Sequence, residues 1–116
     1  MESLVAGEEL VFKVKADLLK GLAHPSRLAI LEYLKKKESS VGEMAISLGI
    51  EQSGLSKHLS VLKQAGILNS RQEKATVFYS VRDKDIFVVL RTISAMLMKK
   101  FREGQALLTH LVKARP

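Results

Sequence analysis

EQSGLSKHLSVLKQAG, the stretch from Glu51 to Gly66, decides the fold because its apolar and polar residues separate onto two sides of a helix. Leu55, Leu59 and Leu62 share one side of that helix. The other side carries polar side chains only: Ser53, Lys57, Ser60 and Gln64. Such a face is ordinarily just solvated, so its role depends on the segments around it.

Two helices are predicted ahead of this stretch. Residues 8–22, EELVFKVKADLLKGL, repeat apolar residues at helical spacing, and Pro25 in AHPSRLAILEYLKKK suits the first turn of a second helix. The second helix is expected to bury Leu28, Leu31 and Leu34.

A helix-turn-helix is predicted over about residues 40–66. SVGE has the form of a capping box, in which Ser40 and Glu43 satisfy the first amides of a short helix. Gly49 ends this helix, and the next one starts near Gln52 after only a few residues, which is typical of a helix-turn-helix.

The residue period changes to two after Gly66. ILNSRQ and ATVFYSV are typical of two strands with a short connection, which predicts a wing over about residues 67–81. A terminal helix follows over about residues 83–113, with a weak point at Gly104. We therefore predict one domain over residues 1–116, mainly α with a small β-hairpin: a winged helix-turn-helix with about five helices and a two-stranded wing.

Composition excludes several classes of protein. The chain has no cysteine, which excludes disulfides, thiolate catalysis and cysteine metal sites. No signal-peptide pattern opens the chain, and no apolar run approaches the roughly 18 residues of a membrane span. We expect a soluble, cytoplasmic protein without a membrane partner.

The net charge of +7 is unevenly distributed. Residues 1–49 are neutral, whereas residues 50–84 have six Lys/Arg against three Asp/Glu and residues 85–116 have six against two. A basic excess that begins with the quoted helix favours a polyanion such as nucleic acid. A surface that binds an anionic membrane, or one that only keeps the protein soluble, has the same basic excess.

No pattern of an enzyme active site is present in the sequence. A Gly-rich phosphate loop, a specific pair of carboxylates and a cysteine nucleophile are all missing. His24, His58 and His110 are scattered along the chain. His24 is expected at the start of the second helix, and His110 at the surface or in an interface. We predict neither an enzyme nor a cofactor.

Several segments in order carry a family resemblance. LAHPSRLAILEYL, SVGEMAISLGIEQSGLSKHLSVLKQAGIL and ATVFYSV together resemble the ArsR/SmtB-type winged-helix transcriptional repressors over roughly residues 18–82. The resemblance implies a homodimer that binds double-stranded operator DNA and is released by a signal. The residues do not identify that inducer, the operator or the regulated genes.

The polar face of the quoted helix is the predicted DNA interface. A recognition helix reads base edges with its N-terminal residues, so Gln52, Ser53 and Ser56 are expected to contact DNA, with Gln52 suited to a bidentate pair with adenine. Phosphate contacts are predicted further along the helix for Lys57, Ser60 and Lys63. For Lys63, simple solvation is an equally good interpretation.

His58 has two interpretations. A helical wheel places it beside the leucine stripe, where it is partly buried, whereas the family resemblance places its SKHL motif at the DNA interface. Arg71 and Lys74 lie on or near the wing tip. Phosphate contact is favoured there over base reading, with flexible solvation as the alternative.

The terminal helix is apolar on more sides than one domain can cover. We predict that a second copy of the chain covers it, together with the first helix. The predicted dimer contacts are Leu10, Val14, Ile86, Val89, Leu90, Ile93, Leu97 and Phe101. A two-fold pair implies an inverted-repeat site with half-sites roughly 34 Å apart.

Metal binding is not predicted, because this chain lacks the ligands that the resemblance implies. ESSVGEM has Ser40 and Gly42 where the family's thiolate pattern has cysteines. The family's second site aligns with Asp83, Asp85, Met96 and Lys99. Its last two positions supply a thioether and a cation, which a zinc shell does not accept.

Two other functions fit the same residues. A winged helix can bind a protein instead of DNA, and a basic dimer can be a general nucleic-acid-binding or RNA-binding module. Duplex binding that survives nonspecific competitor separates the specific regulator from both alternatives.

Overall fold

The computed structural model describes residues 6–113, which form five helices and three strands. These are α1 (Ala6–Leu22), α2 (Pro25–Leu34), β1 (Ser39–Ser40), α3 (Val41–Leu48), α4 (Gln52–Gln64), β2 (Leu68–Glu73), β3 (Thr76–Val81) and α5 (Asp85–Lys113). The described residues divide after Asp83 into two compact units, the second of which contains α5. The predicted winged helix-turn-helix fold is confirmed.

The sheet has three strands instead of the predicted two. Its order is β1-β3-β2, and both pairings are antiparallel. β1 contributes only two residue pairs, Ser39 with Tyr79 and Ser40 with Phe78. A two-residue strand shows no alternation in the sequence, and its partner lies far along the chain, so the pattern of residues could not indicate it.

The predicted starts of α2 and α3 are confirmed. Pro25 lies in the first turn of α2, and His24 caps that helix because its Nδ1 accepts from the Ser26 amide at 3.1 Å. Ser40 caps α3 by accepting from the Glu43 amide at 3.2 Å. The carboxylate of Glu43 accepts from the Ser40 hydroxyl at 3.2 Å. The Ser40 half of the predicted capping box is therefore confirmed, whereas Glu43 binds the Ser40 hydroxyl where a capping box has it bind the Ser40 amide.

Left-handed glycines bound the helix-turn-helix. Gly49 has a φ of 65° at the end of α3, and Gly66 has a φ of 78° after α4. Side chains other than glycine rarely adopt this conformation. The turn between the helices therefore needs only residues 49–51, as the sequence predicted.

The core of the first unit lies between α2, α3, α4 and the start of β2. Its fully buried apolar side chains are Ile30, Leu31, Met44, Leu55, Leu59, Leu62 and Leu68. The prediction that α2 buries Leu28 was wrong, since this residue is 41% exposed. Leu28 lies roughly 110° around the helix from the mean direction of Ile30, Leu31 and Leu34.

α5 is a continuous helix of 29 residues. It starts at Asp85, slightly later than predicted, and it passes through Gly104 without a break. Ile86 and Phe87 are its buried residues. Most of its other large apolar side chains are exposed, and no helix among residues 6–113 is long and apolar enough to cross a membrane.

Candidate nucleic-acid interface

α4 separates a buried apolar side from an exposed polar side. Leu55, Leu59 and Leu62 have no exposed surface, so they fix the rotation of α4 about its own axis. The predicted DNA contacts lie elsewhere around the helix and are all exposed: Gln52, Ser53, Ser56, Lys57, Ser60 and Lys63. The structure brings these six side chains onto one face roughly 17 Å long.

Glu51 adds a carboxylate to this face that the sequence analysis did not include. It is the residue before the first turn of α4, and it makes no capping bond to the helix. Its Oε1 instead accepts from the Ser53 hydroxyl at 3.0 Å. A carboxylate can accept from the amino group of cytosine, whereas it repels phosphate. The sequence could have indicated Glu51, because this residue directly precedes Gln52, the predicted base-reading residue.

The wing places Lys74 at its tip. The strands pair up to Glu73 and Thr76, so Lys74 and Ala75 form a two-residue turn. Lys74 is exposed and has a φ of 56°, and its carbonyl accepts from the Gln72 side chain at 3.2 Å. The predicted tip position of Lys74 is therefore confirmed, while its contact with phosphate stays a prediction.

Arg71 lies further down the wing, between two carboxylates. Its Nε donates to the Glu38 carboxylate at 3.0 and 2.9 Å, and its Nη1 donates to Glu73 at 2.8 Å. These bonds, first with Glu38 and then with Glu73, raise the pKa of Arg71. The guanidinium also lies 4.6 Å from the centre of the Phe78 ring. Three of the five guanidinium N–H groups donate to these carboxylates, whose negative charges weaken the attraction of Arg71 for phosphate.

α4 and the wing border a common groove. The groove has a volume of about 430 Å³, and its walls include Gly42 of α3, Gln52 of α4 and Thr76 of the wing. The first residue of α4 and the strand beside the wing tip therefore face the same space. Gln52 is the predicted base-reading residue that lines it.

His58 is partly buried on the side of α4 away from the polar face. It lies roughly 170° around the helix from the centre of that face. Its Nδ1 is 3.2 Å from Arg27 Nη1, and its ring centroid is 4.3 Å from that of His24. Burial, followed by the charges of His24 and Arg27, lowers the pKa of His58. The prediction that the histidines are scattered was wrong for this pair, because the fold brings α4 against the start of α2.

Exposed apolar side chains occur on α1 and on α5. Leu10 is 62% exposed and Val14 is 58% exposed in α1, outside the core of the first unit. On α5 the predicted dimer contacts with exposed side chains are Val89, Ile93, Leu97 and Phe101. Leu90 is half-buried, and Ile86 is already buried in one chain, so Ile86 has little surface left for a second copy.

The comparisons with known proteins match this geometry. Residues 22–71 match the family described as Helix-turn-helix domain. The HTH-type transcriptional regulator Rv0081 of Mycobacterium tuberculosis is 38% identical over 104 residues, which cover 89% of this chain and 91% of that protein. The chain belongs to the ArsR/SmtB-type family of winged helix-turn-helix transcriptional regulators.

Two solved structures of such regulators have the same fold. The crystal structure of Rv0081 has a TM-score of 0.72 and 36% identity, and covers 81% of this chain and 95% of that one. NolR from Sinorhizobium fredii has a TM-score of 0.73 and 32% identity, and covers 83% of this chain and 96% of that one.

The biofilm growth-associated repressor of Agrobacterium fabrum is 46% identical over 68 residues, 59% of this chain and 58% of that protein.

The metal sites of ArsR/SmtB-type regulators do not fit the residues present here. Ser40 uses its hydroxyl to cap α3, and Gly42 has no side chain. Met96 and Lys99, at the positions aligned with the second site, are exposed on α5 and offer a thioether and an ammonium group. Among residues 6–113, no three histidine or carboxylate side chains are grouped to hold a metal ion.

Proposed function

We propose that this regulator is a homodimeric repressor that recognises an inverted-repeat operator through α4 and the wing. The observation that carries the proposal is the division of α4 into a side of fully buried leucines and an exposed side on which all six predicted DNA contacts are polar. Because the leucines fix the rotation of α4, the polar side is the one that can enter a major groove.

Base reading belongs to the first turn of α4 in this proposal. Gln52 lines the groove toward the wing and has the amide that pairs with adenine, while Ser53 and Ser56 are small enough to let the backbone approach the bases. Glu51 joins this group as an acceptor for cytosine. Its carboxylate also disfavours a phosphate at the same place, which orients the helix.

Phosphate contacts come from lysines and a serine hydroxyl beside this turn. Lys57, Ser60 and Lys63 are exposed further along α4, and Lys74 is exposed at the wing tip. Arg71 contributes less to phosphate binding than these lysines, because Glu38 and Glu73 already bind its guanidinium. Such contacts fix position and orientation on the duplex without selecting its sequence.

A second copy of the chain is the proposed cover for the exposed apolar side chains. Leu97 and Phe101 are 50% and 73% exposed on α5, and Leu10 is 62% exposed on α1. A two-fold dimer buries both surfaces and presents two copies of α4 to two half-sites. Occupation of promoter DNA by such a dimer represses transcription, which is the role in the name of the Agrobacterium fabrum relative.

Selection of duplexes from a random DNA pool, in excess nonspecific competitor, tests the DNA part of the proposal. We expect a pool enriched in one inverted repeat with half-sites roughly 34 Å apart. Enrichment without a consensus indicates a general nucleic-acid-binding module. No duplex binding at all leaves the protein-interaction alternative. Transcription from a promoter that carries the selected repeat then distinguishes repression from activation.

Leu97→Glu tests the dimer part, with Ala95→Glu as its matched control. Both changes add one carboxylate to an exposed position of α5, but Ala95 lies roughly 160° around the helix from Leu97. Sedimentation velocity at micromolar concentration should give a dimer for the wild type and Ala95→Glu, and a monomer for Leu97→Glu. A monomeric wild type contradicts the proposed dimer.

A further inference from the structure

Three side chains meet beside α4 that the proposed function does not use. His24 caps α2, Arg27 lies in its first turn, and His58 lies in the middle of α4. The rings of the two histidines are tilted by 44° at a centroid distance of 4.3 Å. Arg27 Nη1 lies 3.2 Å from His58 Nδ1. This cluster joins the start of α2 to α4.

The same guanidinium also binds the end of α1. Arg27 donates from Nε to the Gly21 carbonyl at 2.7 Å and from Nη2 to the Lys20 carbonyl at 3.3 Å. Both carbonyls lie in the last turn of α1, and that of Lys20 also accepts from the Ala23 amide at 3.2 Å. One side chain therefore connects the last turn of α1 with α4.

The bond to Arg27 determines the protonation state of His58. Arginine has donors and no acceptor, so His58 Nδ1 must carry a lone pair, and the single proton of the neutral ring lies on Nε2. Protonation of His58 places a hydrogen on Nδ1 and a positive charge beside Arg27. The bond then breaks, and α4 loses its connection to α1 through this side chain.

We propose that Arg27 is a positioning residue for DNA reading, which holds α4 against the end of α1 through a neutral His58. The proposal rests on the proposed function, in which α4 enters the major groove. His58 lies on the side of α4 away from the polar face, so it acts on DNA through the placement of α4. Base contacts tolerate displacements of only about 0.5 Å, so a small tilt of α4 weakens them.

Other charged groups around His58 act in the same direction as Arg27. α4 packs against α1, α2, α3 and β2. From these elements and their ends, the groups whose charges act on His58 are His24 and Arg27, and both disfavour its protonated form. Acidification therefore breaks the Arg27–His58 bond that links α4 to the end of α1, and the affinity for the operator falls.

Replacement of His58 by two amides tests the assigned nitrogen. His58→Asn keeps an acceptor at the position of Nδ1, since both atoms are bonded to Cγ, and it does not titrate. His58→Gln places its amide nearer to Nε2. We expect His58→Asn to keep the selected operator within about twofold and His58→Gln to lose roughly tenfold per half-site. The opposite order overturns the proposal, because it indicates a contact through Nε2.

The pH dependence of binding provides a second readout. As the pH falls below the ordinary histidine pKa value of 6.5, the wild type should lose more operator affinity than His58→Asn, because only the wild type disconnects α4. Equal losses for the two proteins contradict the proposal. Fluorescence anisotropy at fixed salt, with a folded-state check by circular dichroism at each pH, gives both curves.

Arg27→Lys separates positioning from simple charge. Lysine keeps the positive charge but lacks the planar fork that reaches α1 and His58 together. We expect roughly tenfold weaker operator binding at an unchanged salt slope, while Arg82→Lys, an exposed control, binds as the wild type. Wild-type affinity of Arg27→Lys, or a lower salt slope for Arg27→Gln, overturns the proposal.

A measurement without DNA keeps this inference separate from the proposed function. Nitrogen NMR of the imidazole should find His58 with its proton on Nε2, and Arg27→Gln should raise the pKa of His58 because one neighbouring cation is removed. A proton on Nδ1 overturns the Arg27–His58 link even if the operator is bound. A wild type with no duplex preference overturns the proposed function while this link stands.

Discussion

Gly21→Ala is expected to destabilise the first unit, although alanine is the better helix residue. Gly21 lies in the last part of α1, and a Cβ atom there falls 2.8 Å from the Cβ of Ala65 and 3.4 Å from Cδ1 of Ile67. The Ile67 atom ends a flexible side chain and can move. The Ala65 Cβ is bonded directly to the backbone at the end of α4, so relief requires α1 and α4 to separate.

The expected magnitude follows from two opposing effects. Replacement of a helical glycine by alanine stabilises a protein by about 0.5–1 kcal/mol. Overpacking of a close contact costs about 1–3 kcal/mol. The clash at Ala65 is with an atom that cannot rotate away. We therefore expect overpacking to outweigh the helix preference of alanine and to lower the free energy of unfolding by roughly 1–2 kcal/mol.

Urea unfolding followed by circular dichroism measures this effect at one fixed protein concentration, because dimerisation contributes to the apparent stability. Gly54→Ala is the matched control: it adds the same methyl group in α4, where no atom beyond its chain neighbours and the nearby backbone of α4 lies within 4 Å of the new Cβ. We expect Gly54→Ala to be neutral or stabilising. Ala65→Gly removes the atom that clashes, so it should rescue much of the loss in the double variant.

A double-mutant cycle gives the decisive number. The combined effect of Gly21→Ala and Ala65→Gly should be at least about 1 kcal/mol less destabilising than the sum of the single effects. A Gly21→Ala protein as stable as the wild type, or strictly additive effects, would refute the close approach of α1 to the end of α4.

Three further predictions concern DNA binding and pH. Gln52→Ala should cost about 1–3 kcal/mol of discrimination per half-site, with little change on nonspecific duplexes, in competition titrations on base-substituted operators; equal losses on every duplex contradict base reading. Lys74→Ala should weaken all duplexes alike and lower the salt slope by about 0.9 for each phosphate that the lysine neutralises in the wild type, and an unchanged slope removes the wing tip from the interface. The free energy of unfolding should fall as the pH drops below the ordinary His58 value of 6.5, since the unfolded chain binds the proton that the folded ring resists. In His58→Asn the free energy of unfolding should depend less on pH in this range. Both proteins should still lose stability below pH 4.5, where protonation of Glu38 ends its bond to Arg71. Equal slopes above pH 4.5 in both proteins contradict the assignment to His58.

Local sequence patterns were enough to predict the helix-turn-helix. The three leucines of α4, the Ser40 cap and the two left-handed glycines act over a few residues, so their effect is visible in the chain itself. The exposed polar side of α4 follows from the same period, because a helix that buries Leu55, Leu59 and Leu62 must turn its other side outward.

Partners that are distant in the chain could not be predicted in this way. Leu28 has the spacing of a core residue, yet the neighbours of α2 lie on another side and leave it exposed. Arg71 follows the pattern of a free wing cation, yet Glu38, from the segment before β1, binds it. The two-residue β1 exists only because β3 supplies its hydrogen-bond partners.

The amino-acid sequence by itself determined the order of the helices and the two wing strands, the ends of α3 and α4 and the polar face of α4, because backbone sterics, capping and residue period act between near neighbours. The tertiary structure alone decided that His24, Arg27 and His58 meet, and that the last turn of α1 lies against the end of α4. These contacts depend on how helices far apart in the chain pack, and the orientation of packed helices is set by all the buried side chains together.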